Sequence, residues 1–220
     1  MRLGIRLLFA FFLINGIAAF FVLRVFTAEI KPSVREVMED MMVDTANLLA
    51  ELASDDLAAG RLAQGDTDSA FARHVRNYVR RPIDAGIWGF AKQSLDYRIY
   101  VTDATGRVLF DSQGQAVGQD FSQWRDVART LRGEYGARMT REVPSDDTSG
   151  VMHVAAPVLV QGRILGVLTV AKPVRTVQRF IDRAERKVLM GGLVLLLLSA
   201  AVGVAVTLWM VWNVRRLRDY

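Results

Sequence analysis

The sequence predicts an α+β domain carried between two apolar helical segments, and three observations predict it. No charged residue occurs from Leu7 to Leu23, and none again from Val188 to Val214. Between them, from Ala28 to Lys187, 22 basic side chains are balanced by 22 acidic ones. Within that balanced stretch the apolar period changes from helical to alternating and back to helical. The formal net charge of +5 therefore sits outside it, on Arg2, Arg6, Arg24, Arg215, Arg216 and Arg218 less Asp219. Basic residues in those places anchor membrane helices; they are not the clustered footprint of a nucleic-acid-binding face, and no nucleic acid is expected as a partner.

The first apolar run extends to a span over 7–27 if Arg24 turns its guanidinium toward the interface. It is read as an uncleaved anchor. Signal cleavage after Ala28 would put Phe26 where a small residue is needed, and cleavage after Ala19 would put Ile17 there. Asn15 in mid-span can hydrogen-bond across a helix interface. The second span, placed at 188–212, is followed by a basic cluster, with Trp209 and Trp212 as an aromatic belt. Ser199, Ala201, Gly203 and Ala205 supply small-residue spacing for close helix contact. Residues 1–6 and 213–220 are expected in the cytoplasm and 28–187 outside it, because a long loop is translocated largely regardless of its charge.

After Pro32, the residues Val34, Met38, Met41, Thr45, Leu48 and Leu52 alternate spacings of four and three, a heptad seam on a helix ending near Gly60. The seam fits either packing on its own domain or a homodimer contact. Val37, Leu49 and Ala53 form a second stripe. Ser69–Arg80 is a shorter helix stopped by Pro82. Strands are expected at Tyr97–Asp103 and Arg107–Phe110 around the turn Ala104-Thr105-Gly106, then at Gly136–Glu142, Val151–Val158 and Ile164–Ala171. A short helix, Ser122–Arg132, interrupts them. Pro144-Ser145-Asp146-Asp147 and Gln161-Gly162 separate the later strands. Five antiparallel strands with helices leading in make the domain α+β. From Thr176 onward no breaker occurs, so one helix is expected to run into the second span.

Function classes narrow quickly. The chain has no cysteine, which excludes disulfides, thiolate metal sites and cysteine nucleophiles. Its two histidines, His74 and His153, form no metal-binding pattern, no G-x-S-x-G elbow is present, and no cofactor is called for. No His-Glu phosphoacceptor box or nucleotide-binding glycine motif occurs either. The chain is not expected to be an enzyme, although a membrane-tethered periplasmic enzyme remains a distant alternative.

Several segments are similar to one family. Met1-Arg2-Leu3-Gly4-Ile5-Arg6-Leu7-Leu8, Glu29-Ile30-Lys31-Pro32, Asp44–Ala53 and Val101–Ser112 resemble the CreC-type sensor histidine kinases of two-component systems. Leu131–Arg138 and Val154-Ala155-Ala156-Pro157 do so too. The resemblance runs from end to end. It implies a periplasmic PAS-like (Cache-like) sensor with an antiparallel five-stranded sheet and a long N-terminal helix, between two spans of the bacterial inner membrane. The implied partners are a small-molecule or physicochemical signal, a second copy of the chain, and a response regulator reached through a kinase core outside these residues. The same module on a chemoreceptor or a cyclic-dinucleotide enzyme is the alternative.

The expected ligand contacts follow from that reading. Gly118-Gln119-Asp120-Phe121, Leu131-Arg132-Gly133 and Pro157-Val158 are similar to a pattern in PAS-like citrate and fumarate sensors. There, a carboxylate-binding arginine lies four residues before the proline. Here that position is His153, a departure that counts against a di- or tricarboxylate. His153 shares its strand face with Val151 and Ala155, so it is either a ligand contact or a hydrogen-bonded core histidine. Its ordinary pKa would also suit a pH sensor. Arg81, Lys92, Tyr100, Arg138 and Lys172 are the other polar residues on or beside the predicted sheet. Converged around one pocket, they would suit an anionic ligand.

Overall fold

The computed structural model describes residues 2–218 apart from 26–27, 29–30, 64–68, 88, 142, 144 and 147–148. The end of the first expected span, the last residue of the third expected strand, the two outer residues of the Pro144–Asp147 link and the final Asp219-Tyr220 thus lie outside the described residues. The chain divides into two compact units, one of residues 1–34 with 179–220 and one of residues 35–178.

In the first unit, helix α1 (Arg2–Val25) meets the later part of helix α5 (Arg175–Arg218). Among the described residues, one helical segment, Phe180–Trp209, is long and apolar enough to cross a membrane. The apolar part of α1, Phe9–Val25, is shorter. The expected interhelical role of Asn15 is realised: its side-chain amide donates to the Phe11 carbonyl at 2.9 Å and its oxygen accepts from Ser199 Oγ at 3.0 Å. One turn away Gly203 faces Phe11 so closely that a Cβ there would lie 3.1 Å from the ring. Ser199 and Gly203 thus admit the larger Asn15 and Phe11, as small residues do in lipid-facing helix pairs.

In the second unit, the order along the chain is α2 (Lys31–Ala58), α3 (Ala70–Arg80), β1 (Ala85–Ile87), β2 (Phe90–Lys92), β3 (Arg98–Asp103), β4 (Val108–Asp111), α4 (Arg125–Leu131), β5 (Gly136–Arg141), β6 (Gly150–Val160) and β7 (Arg163–Pro173). All five expected strands are present, in one antiparallel sheet ordered β4-β3-β7-β6-β5. The expectation left out the β1–β2 hairpin, whose two strands of three residues each are too short to show a period.

Turn chemistry explains why the strands end where they do. Asp103 Oδ1 accepts from the backbone N–H of Thr105 and Arg107, closing the β3–β4 turn, and Gly106 takes φ +88° against the backbone of Ser122. At the far end of β4, the buried Asp111 accepts from the backbone N–H of Gln113, Gln115 and Ala116 and pairs with Arg98 at 2.8 Å. The segment Val101–Ser112, one of those carrying the resemblance, is therefore largely a record of this hairpin.

The sheet has two covered faces because side chains alternate along each strand. Ile99, Val101, Val154, Val158, Leu168 and Val170 face α2 and α3, where Met42, Ala46, Ala50, Ala53, Phe71 and Val75 complete one core. Tyr100, Ala155 and Val167 face the opposite way and join Val108, Phe121 and Val127 in a smaller core under α4.

The α2 seam requires correction. The stripe that packs on the sheet is Met38, Met42, Ala46, Ala50 and Ala53, whereas Val37, Met41, Leu48 and Leu52 are all more than half exposed. Three alanines let the helix axis approach the sheet closely, so the buried face is the one with the smaller side chains. Of the two expected stripes only Met38 and Ala53 are buried, with Leu49 packed at the edge of the core.

Candidate functional site

On the α4 face, the register of the sheet sets the site. Tyr100 on β3 lies opposite Thr169 on β7, and Arg138 on β5 lies opposite His153 on β6. Since both rows fall on the same face, four neighbouring strands point polar groups into one buried space. Helix α4 closes it from above. Gly136 makes this approach possible: a Cβ there would lie 2.1 Å from the Asp126 carbonyl oxygen and 2.2 Å from Thr130 Oγ1.

The group that α4 delivers is Asp126, whose side chain is fully buried. Arg138 Nε donates to Asp126 Oδ1 at 2.6 Å, Tyr100 donates its hydroxyl to Oδ2, and Thr169 Oγ1 reaches Oδ2 at 3.4 Å. The Arg138 guanidinium carbon lies over Trp124, 4.0 Å from the ring centroid, and Trp124 stacks on Phe121. His153 completes the cluster. Its Nδ1 stands 3.3 Å from Arg138 Nη2 and 3.5 Å from the Tyr100 hydroxyl, and its Nε2 is 3.0 Å from Thr140 Oγ1.

These contacts assign the imidazole tautomer. Arg138 can only donate, so Nδ1 accepts and the proton sits on Nε2, directed at Thr140. Burial lowers the His153 pKa, the Arg138 and Arg98 charges lower it further, and Asp126 offsets only part, leaving it at about 4. Burial and the adjacent Asp126 carboxylate both push the Tyr100 hydroxyl well above its ordinary value. The cluster thus sets a neutral imidazole beside the Arg138 guanidinium and the Tyr100 phenol, and these last two are directed at the Asp126 side chain. A histidine held near pKa 4 does not titrate around neutrality, which removes the expected role of His153 as a neutral-range pH sensor.

Of the six residues the sequence singles out, Tyr100, Arg138 and His153 come together. The other three stand apart. Arg81 follows the end of α3 and is exposed; Lys92 pairs with Asp96 at 3.5 Å; Lys172 lies over the Tyr97 ring at 4.6 Å, its pKa lowered by burial and by Lys92. The sequence reading missed Asp126, Trp124, Thr140 and Thr169. Asp126 was legible only indirectly, as an acid four residues before Thr130 on the same helical face as Val127. Among the described residues no group of histidine and carboxylate side chains is arranged to hold a metal ion.

Apart from this cluster, a cavity of about 710 Å³ lies between α2, α3 and the start of β3. It is lined chiefly by Leu48, Leu49, Leu52, Val75, Tyr78 and Tyr97.

The fold and site define an α+β domain with a polar cluster sealed under a short helix, attached to a helix long enough to span a membrane. No protein-family profile matches the chain. Over all 220 residues it is 44% identical to Sensor protein CreC of Escherichia coli strain K12, covering 46% of that protein. The chain thus spans about half the length of the curated relative it matches. Among solved structures, the sensor domain of the Vibrio cholerae histidine kinase DctB is 16% identical with a TM-score of 0.48, over 71% of this chain and 55% of that one. The E. coli DcuS sensor domain is 18% identical with a TM-score of 0.32, over 62% of this chain and 99% of that one.

Proposed function

We propose that the chain is the extracytoplasmic sensing and transmembrane signalling module of a two-component sensor histidine kinase. The observation that carries this reading is the 44% identity, because the match covers the whole chain, both apolar segments and the domain between them. In this reading, segments 7–27 and 188–212 cross the inner membrane, both termini are cytoplasmic, and residues 28–187 form a PAS-like (Cache-like) periplasmic sensor. Tyr100, Arg138 and His153 form its signal-responsive site. The exposed apolar strip of α2, with Met41, Leu48 and Leu52, joins two copies. Phosphorylation of a response regulator belongs to a kinase core outside these residues.

Binding energy can bias such a module only as far as the signal prefers one of its two states. The test is a fusion of residues 1–220 to a reporter kinase core in bacterial cells. Output that varies with the medium supports the reading. A fusion that is inserted and folded yet gives constant output under every carbon source and pH overturns it.

A further inference from the structure

We propose that Asp126 is a built-in ligand: its side chain occupies a site formed for a small carboxylate anion, and a free carboxylate competes with docked α4 for that site. This inference rests on the reading of the domain as a sensor, and it names how that site is regulated.

Among the described residues, every side-chain donor to the Asp126 carboxylate comes from the sheet, while the carboxylate itself comes from α4. Arg138 Nε supplies 2.6 Å contact to one oxygen, while the Tyr100 hydroxyl and Thr169 Oγ1 converge on the other. A guanidinium paired with two hydroxyls around a fully buried carboxylate is the arrangement by which proteins hold a bound organic anion. The Trp124 face covers the guanidinium from the α4 side, so donors and aromatic cover meet only when α4 is docked. That helix has seven residues, too short to be stable without its tertiary contacts. Its position thus depends on apolar packing of Val127, with Trp124 and Leu131 beside it, and on this carboxylate. An anion that takes Arg138 and Tyr100 leaves Asp126 buried without a partner, so binding must expel the helix. The competition converts the presence of a small carboxylate into undocking of α4.

Removing the Asp126 carboxyl group leaves a space that fits formate, which is the same group bearing a hydrogen. The test uses the whole 220-residue chain in detergent micelles, with Asp126→Ala and the milder Asp126→Ser, in sodium formate or sodium chloride of equal ionic strength. Each variant is expected to melt on the order of 10 °C lower in chloride, as for a buried pair that has lost one partner. Formate should return at least half of that loss saturably. It should do nothing for Asp126→Ala combined with Arg138→Ala. In the unsubstituted chain, high formate should instead speed amide exchange in residues 125–131.

If formate and chloride act alike on both variants, or if both stay unfolded in either salt, the proposal is overturned. A signal-responsive reporter fusion without formate rescue removes the role of Asp126 and leaves the sensor reading standing. Formate rescue with a constant reporter does the reverse.

Discussion

Protonating His153 in the folded chain would place a second positive charge beside Arg138 in a space that excludes water. Burial is the larger obstacle, and Arg138 and Arg98 add to it; Asp126 gives back part, and Tyr100 and Thr140 are the uncharged neighbours. The unfolded chain meets none of these constraints, so its histidine takes up a proton near the ordinary value of 6.5 while the folded one waits until about 4. The sign follows: above pH 6.5 the group leaves stability unchanged, and between about 6.5 and 4 the unfolded chain binds more protons, so stability falls as pH falls. The full effect is on the order of 3 kcal/mol. Asp111 acts in a lower window. Burial raises its pKa, but Arg98 and the backbone N–H donors outweigh this, so its contribution is lost only below the ordinary carboxylate range. His153→Gln should therefore flatten the dependence of melting temperature on pH between 6.5 and 4 and leave the steeper fall below 4 in place. Unchanged slopes in both windows would show that the imidazole is not held neutral by this site.

At the scale of elements, the close approaches decide more than the apolar totals. Gly136→Ala puts a methyl group into the Asp126 carbonyl and Thr130, and backbone cannot yield there as a flexible side chain could. The expected cost is about 1–3 kcal/mol, seen as an earlier urea midpoint, with Trp124 fluorescence changing as α4 lifts. A midpoint within error of the unsubstituted chain would mean that α4 does not rest on β5 as described. Helix α2 makes the opposite case. Leu48 and Leu52 are exposed, so Leu48→Glu and Leu52→Glu together should cost the domain no more than about 0.5 kcal/mol each. If the strip joins two copies, sedimentation of that double variant should shift from dimer to monomer; a dimer that persists would place the contact elsewhere. These two helices also mark what the sequence made legible. The five strands could be read because alternation and turn residues are local. The buried face of α2 could not, since three of the five residues that pack are alanines and the exposed ones are large. Tyr100, Arg138 and His153 could be picked as polar residues on a covered face, but their meeting with Asp126 depends on the β3-β7-β6-β5 order, and no short-range pattern encodes it.

At the scale of the molecule, the proposed signalling role rests on the continuous helix α5. It runs 44 residues, about 66 Å at the α-helical rise, from the end of the sheet strand β7 to Arg218. The residue just before it is tied to the domain, because the Val174 N–H donates to the Gly150 carbonyl at 2.7 Å and Val174 is part of the main core. Further along, Ser199 and Gly203 hold it against Asn15 and Phe11 of α1. A helix with both attachments can pass on a rotation or a shift only if it stays unbroken between them. Proline at Glu185 removes one backbone hydrogen bond and clashes with the preceding turn, at a cost of about 3 kcal/mol, without touching either attachment. In the reporter fusion, Glu185→Pro should abolish the response to the medium while Glu185→Ala retains it. The melting of the sensor domain should be the same in both. A proline variant that still responds would mean that the signal reaches the reporter by a route other than α5.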